Sequence, residues 1–259
     1  MLMTRISRRT LAEQHIALTR TFMKDLESGK NEENFSFDRE HPDVLDNRPL
    51  IVGKVHTKCQ IAQVIQKCTS QVQSIFEERY SLKHNNSPKV IIDGDTTANL
   101  MCLADHIEYI IFEVLKNSMK YTIASVLEKN GGLYRNLEDL KFNPIHVTIS
   151  QTKTTLSIRI SDRGGGISPE VYKQLWNYCS EHKLKYLLNF NKIKQMEAKV
   201  ADNISLSLGF GLPMSKVYAK YWGGDIKVYS TPEFGVDAYI TLPRLGNVVE
   251  NPAMEDYTL

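Results

Sequence analysis

An alternating run of apolar residues, Leu156 to Ile160, leads directly into Ser161-Asp162-Arg163-Gly164-Gly165-Gly166-Ile167, after which Ser168-Pro169 opens a helical pattern. A strand that ends in an acid and three consecutive glycines admits few continuations. Glycine, lacking a Cβ, reaches positive φ and lets the backbone come close to a flat ligand, while Asp162 at the strand end offers a carboxylate to an exocyclic amine. The stretch fits the wall of a nucleotide-sized pocket. Taken alone it fits a tight strand-to-helix turn with a surface Asp equally well, because short glycine motifs also arise by chance.

The 259 residues suffice for one large or two small cored domains without disulfide staples. Thirty-two Lys and Arg against thirty Asp and Glu leave a net charge of +2, which gives no support for a nucleic-acid partner. Cys59, Cys68, Cys102 and Cys179 form no C-x-x-C pair and lie in apolar patterns, as reduced buried thiols in a reducing compartment do. No run of about eighteen apolar residues occurs, so no membrane span is expected. Arg5, Arg8, Arg9 and Arg20, with no acid before Glu13, have the composition of a mitochondrial presequence. However, Leu2, Ile6, Leu11, Ile16, Leu18 and Phe22 continue as one apolar-spaced helix without a cleavage boundary, which reads as a structural helix.

That helix covers residues 1 to 27 and stops at Ser28-Gly29-Lys30. Asn31 to Pro49 reads as a solvated connector, and Val55 to Tyr80 as a second amphipathic helix through Ile61, Val64, Ile65, Cys68, Val72, Ile75 and Phe76. Two such helices bury only one stripe each, so they are expected to pack on the domain that comes after them in the chain or on helices outside this chain. After the polar stretch Lys83 to Pro88 come strand Val90–Ile92, helix Leu103–Leu127, strands Ile145–Ile149 and Leu156–Ile160, and helix Pro169–Leu188. A polar stretch to Leu208, helix Leu212–Trp222 and strands Ile226–Tyr229 and Ala238–Leu242 complete the pattern. The mixed order points to an α/β sandwich rather than a doubly wound parallel sheet.

On the helix from Leu103 to Leu127, about 100° per residue puts Leu103, Ile107, Ile110, Ile111, Val114 and Ser118 on a core stripe. His106, Glu113, Asn117 and Lys120 form a second stripe along its rim. Asn is a poor interior helix residue, so Glu113 and Asn117 at i, i+4 ask for a reason; a local polar pair on a wet edge is one answer.

The order of motifs supplies another: Glu113-x-x-x-Asn117, Asp162-x-Gly164-x-Gly166, Gly209-Phe210-Gly211-Leu212-Pro213 and Phe234-Gly235. This series resembles the GHKL ATP-binding superfamily. The resemblance implies a Bergerat-type α/β sandwich with a mixed sheet, binding ATP and Mg²⁺. In it Asn117 ligates the ion, Asp162 accepts from adenine, Gly164 and Gly166 shape the base pocket, and Gly209, Phe210, Gly211 and Leu212 turn backbone N–H groups to phosphate at a helix start. The wording Lys116-Asn117-Ser118-Met119-Lys120, Ser161 to Ile167 and Gly209 to Tyr221, with Thr4 to Leu11 and Gln14-His15 upstream, is similar to the mitochondrial α-keto acid dehydrogenase kinases.

That closer resemblance implies a serine protein kinase of the mitochondrial matrix that phosphorylates and inhibits the E1α subunit of the pyruvate, or branched-chain, dehydrogenase complex. Glu113 would be the general base, His15 its hydrogen-bond partner, and Lys120 would stand near phosphate. Residues 1–84 would be the remnant of a helical regulatory bundle, 85–245 the ATP-binding kinase domain and 246–259 a tail. Docking to the lipoyl domain of E2 and a homo- or heterodimer belong to the same expectation, although the shortened helical domain works against both.

The sequence departs from the family at Leu208, where the first lid glycine is usual, at Val236, where Thr is usual, and in lacking any glycine from Ser168 to Leu208. It also has no Asp-Trp arm near Glu255-Asp256-Tyr257. Two other functions therefore stand beside the kinase: a GHKL nucleotide-binding regulatory subunit with weakened catalysis, and a histidine-kinase-like enzyme.

Overall fold

A computed structural model describes residues 1–27, 51–80, 82, 86–129, 140–178 and 209–244. Helix α1 spans Leu2–Glu27; strands β1 (Ile51–Val52) and β2 (Val55–Gln60) precede helix α2 (Ile61–Tyr80). Strands β3 (Val90–Gly94) and β4 (Asn99–Cys102) lead into helix α3 (Ala104–Lys129), followed by strands β5 (Ile145–Gln151) and β6 (Thr155–Ser161) and the short helix α4 (Pro169–Lys173). Helix α5 (Gly211–Tyr221) and strands β7 (Asp225–Thr231) and β8 (Gly235–Pro243) close the described chain.

Five strands form a mixed sheet in the order β3-β5-β6-β8-β7. Only β3 and β5 run parallel, from Val90 opposite Ile145 to Gly94 opposite Ile149, and the other pairs are antiparallel. Ile145, Val147, Ile149, Leu156, Ile158, Ile160 and Ile240 alternate to one face and are buried there, the pattern of a sheet packed on one side and wet on the other. Helix α3 packs on β6 and is flanked by α2 and α5. The expected α/β sandwich with a mixed sheet is the architecture found, and every strand expected in the described part is present.

The core stripe expected on α3 is buried along its whole length, from Leu103 through Ile107, Ile110, Ile111 and Val114 to Ser118. Helix α2 packs against α3, and one apolar cluster runs from Cys59 to Leu242. Elements before and after residue 84 thus share one core. Cys59, Cys68 and Cys102 are buried free thiols, as expected, and burial pushes the Cys68 thiol up to about 12; Cys179 lies outside the described residues.

Strands β1 and β4 form where none was expected, and three further elements differ from expectation. Residues 55–60 are a strand, not the start of α2: Val55, Thr57 and Cys59 alternate, and β2 pairs antiparallel with β1 and β4 in a small second sheet. Helical spacing of apolar residues begins only at Ile61. The hairpin turn places Gly53 at φ +63, and α1 clamps it, with Gln14 Nε2–H donating to the Val52 carbonyl (2.9 Å) and Lys54 N–H donating to Gln14 Oε1 (2.7 Å). Helix α4 ends at Lys173 instead of continuing. Tyr172 donates its hydroxyl to the Val228 carbonyl (2.7 Å), and Gln174, Leu175 and Asn177 make i→i−3 bonds that tuck Leu175 into the core. Helix α1 forms as expected, but Leu11, Ile16, Leu18 and Phe22 are exposed and only Ile6 of its apolar positions is buried. The expected connector 31–49, the helix beyond 178, Leu208 and the tail 246–259 lie outside the described residues.

Candidate nucleotide site

Helix α3 carries the rim stripe, with His106, Glu113, Asn117 and Lys120 all half-buried. Glu113 is held on both sides. Its Oε1 lies 2.6 Å from Lys116 Nζ, with 13% of the glutamate and 18% of the lysine side chain exposed. Its Oε2 lies against the first residue of α5, where a Cβ on Gly211 would fall directly on that oxygen. Glycine lets the carboxylate lie against the helix start, and a side chain at 211 would displace it. One turn earlier, burial and then the charge of Glu113 push the Tyr109 phenol upward, and its ring lies 5.1 Å from that of Tyr218 on α5.

Asp162 closes the other end. It is 4% exposed, and its Oδ1 accepts from the N–H groups of Gly164 (2.9 Å) and Val236 (3.3 Å). The hydroxyl of Ser118, on α3, also donates to this carboxylate. Burial pushes the Asp162 carboxyl upward from its usual range, while the Gly164, Ser118 and Val236 hydrogen bonds pull it back. Asp162 N–H in turn donates to the Val236 carbonyl (2.9 Å), so residue 236 supports the acid through its backbone, whatever its side chain. A Cβ at Gly164 would come within 2.9 Å of Tyr121 Cβ, which makes this glycine the seam between the loop and α3. Gly166 sits at φ +81 and Gly209 at φ +76.

Helix α5 begins after Phe210, whose side chain makes no capping hydrogen bond; its ring stands 6.3 Å from that of Tyr178. The first-turn N–H groups of Gly211 and Leu212 belong to the end of a helix that favours anions. Glu113 already lies beside it. Helix α3 therefore joins a buried acid, Asp162, reached through Ser118, to a carboxylate at the start of α5, with Asn117 and Lys120 on the rim. Lys120 Nζ stands 5.1 Å over the Tyr121 ring.

His15 is exposed on α1, and among the described residues it makes no hydrogen bond to Glu113. The cation at Glu113 is Lys116. Sequence reasoning places Lys116 in a motif without giving it a role, although i, i+3 spacing from Glu113 is a signal for a pair. It also places Ser118 in the core and misses its bond to Asp162; a hydroxyl in an otherwise apolar stripe is the available hint. Among the described residues no group of three or more His, Cys, Asp or Glu side chains could hold a metal ion. A cation at Asn117 would draw its remaining oxygens from phosphate and water, which suits Mg²⁺, an ion that keeps several waters.

Residues 102–246, more than half of the chain, match the family of histidine kinase-, DNA gyrase B- and HSP90-like ATPases. The chain belongs to this family. The matched span begins at the end of β4 and contains α3, the five-stranded sheet apart from β3, and α5, which are the elements that build the site. Over more of its length this ATPase-family chain is similar to proteins named as mitochondrial pyruvate dehydrogenase (acetyl-transferring) kinases. It is 28% identical over 198 residues to that of Schizosaccharomyces pombe, covering 76% of this chain and 44% of that protein. Kinase 2 of Saccharomyces cerevisiae is 25% identical over 307 residues, covering 97% and 56%. Kinase isozyme 4 of Homo sapiens is 26% identical over 248 residues, covering 95% and 50%. The chain spans about half the length of these relatives.

Proposed function

We propose that the protein is an ATP-dependent serine kinase that phosphorylates the E1α subunit of the pyruvate dehydrogenase complex in the mitochondrial matrix and so inhibits it. The branched-chain complex is the alternative target. The observation that carries this reading is Glu113, a half-buried carboxylate pressed against Gly211 at the start of α5. A proton acceptor beside a phosphate-binding helix end is what transfer to a hydroxyl asks for, since the reaction needs mostly positioning and charge neutralisation. The names of the relatives supply the substrate.

In this scheme Asp162, held by Ser118, Gly164 and Val236, receives the adenine amine. Gly164 and Gly166 leave room for the ring, and Gly209, Phe210, Gly211 and Leu212 present backbone to phosphate. Asn117 would hold Mg²⁺, which neutralises phosphate charge when bound, and Lys120 adds a cation near the same phosphates. Glu113 takes the hydroxyl proton of the acceptor serine. His15, exposed on α1, is left out. The lipoyl domain of E2 and a dimer partner belong to the same reading.

Incubation with γ-labelled ATP, alone and with purified E1, tests it. Label on an E1α serine is the expected result. Nucleotide binding with no label would indicate a regulatory ATP-binding subunit, and acid-labile label on the protein itself a histidine kinase; either would overturn the proposal.

A further inference from the structure

We infer that Lys116 is a positioning residue for Glu113, fixing which carboxylate oxygen is open to the proton of the acceptor hydroxyl. The inference rests on the reading of Glu113 as the base. A lysine–glutamate pair at i, i+3 on a wet helix face contributes little, because water competes for both charges. This pair is different. At 2.6 Å, with both side chains largely withdrawn from solvent, it is a short charge-assisted hydrogen bond. The ammonium also stands 5.4 Å over the Phe112 ring, which steadies the lysine from a second side.

The terminal torsion of a glutamate is broad and twofold, so a lone carboxylate exchanges its two oxygens freely. Glu113 has no such freedom. Oε1 is taken by Lys116, and Oε2 is turned toward Gly211 at the start of α5. The oxygen that faces the phosphate-binding end of α5 is therefore the one left to accept a proton. In the transfer step the acceptor O–H bond breaks and its proton goes to Oε2. The hydroxyl oxygen bonds to the γ-phosphorus, while the bond from that phosphorus to the β,γ-bridging oxygen breaks and ADP leaves with the electron pair. Glu113 then returns its proton to solvent. Lys116 touches none of the reacting atoms and acts through the orientation of the carboxylate. It occupies the place beside Glu113 that resemblance gives to His15.

The test uses the full chain with Lys116→Met, which keeps length and removes the charge, and Lys116→Arg, which keeps the charge. Four quantities are read: kcat and KM for ATP in transfer to E1α, ATP hydrolysis without a protein acceptor, nucleotide affinity by calorimetry, and melting temperature. The expected result is a split. Lys116→Met lowers kcat by about tenfold or more in transfer and hydrolysis alike, leaves nucleotide affinity within about twofold, and Lys116→Arg recovers most of the rate. Unchanged kcat in Lys116→Met overturns the inference, and so does parallel loss of affinity, which would make Lys116 a phosphate ligand or a structural residue. A wild-type chain that hydrolyses ATP with this Lys116 dependence but leaves E1α unlabelled refutes the E1α substrate and supports the inference. Full E1α labelling by Lys116→Met supports the substrate and refutes the inference, and a wild-type chain with neither activity refutes both.

Discussion

Asp162 accepts from two backbone N–H groups and one hydroxyl while almost wholly buried, so its geometry is fixed before any ligand arrives. Asp162→Asn should weaken adenine recognition, since an amide can present a donor to a donor where the carboxylate offers only acceptors. Competition between ATP and GTP measures this; an unchanged preference would contradict the adenine role. Ser118→Ala removes one hydrogen bond to a charged group, worth about 1.5–3 kcal/mol in such settings, and should reduce ATP affinity without unfolding the chain. Calorimetry and a melting curve on the same variant check both parts. Asn117→Ala should abolish Mg²⁺-dependent nucleotide binding, read as loss of the difference between titrations with Mg²⁺ and with EDTA. At this scale the placement of Glu113 and Asn117 on the rim of α3 and of Asp162 at the end of β6 is legible in the sequence because residue type, spacing and order all agree. The supporting groups Ser118, Lys116 and the Val236 backbone are not, because each acts through a neighbour that only folding brings within reach.

Helix α3 organises the elements, since one of its faces builds the core and the adjoining rim holds the site. Gly211→Ala tests how tightly α5 is set against it. The added methyl falls on Glu113 Oε2, the end of a flexible side chain that can move aside, so turnover should fall by about tenfold or more with little change in melting temperature. A second contact between the same helices predicts a pH dependence. Trp222 Nε1–H donates to His106 Nδ1 (3.3 Å), and the imidazole is enclosed by the rings of Tyr218, Tyr221 and Trp222.

Burial lowers the His106 pKa; Asp105 and Glu13 oppose that shift and Arg9 reinforces it. The folded state therefore binds fewer protons than the unfolded one below about pH 6.5. The contribution of this histidine is complete above that pH and is lost as pH falls through the lowered value. Urea midpoints from pH 7.5 to 5 should decline less in His106→Gln than in the parent. An equal decline would show that His106 carries none of it. Strands and helices with one consistent period, such as α3 and the hairpin β5–β6, are readable from the sequence. Residues 55–60 are not, because a short strand abutting a helix shares its apolar residues, and only pairing with β1 and β4 decides between them. The sequence pattern overextends helix α4 because its stop comes from tertiary ties through Tyr172 and Leu175 and not from a local breaker.

Across the described residues, a single apolar cluster joins α2, α3, the sheet and α5, so the Asp162 and Gly211 ends of the candidate site are parts of one packed body. Family membership and the order of motifs make the sandwich legible from sequence. The part played by α1 is not, since most of its apolar residues are exposed and sequence periodicity does not say what covers them. The central claim is that Glu113 serves phosphoryl transfer and not nucleotide binding, and Glu113→Gln tests it most directly. Glutamine keeps size and helix propensity but cannot take the hydroxyl proton. Mg-ATP affinity and E1α serine phosphorylation are measured on one preparation of each protein. The account predicts affinity close to the parent's and transfer lower by about 10²-fold or more. Undiminished phosphorylation, or loss of ATP binding together with transfer, would contradict it.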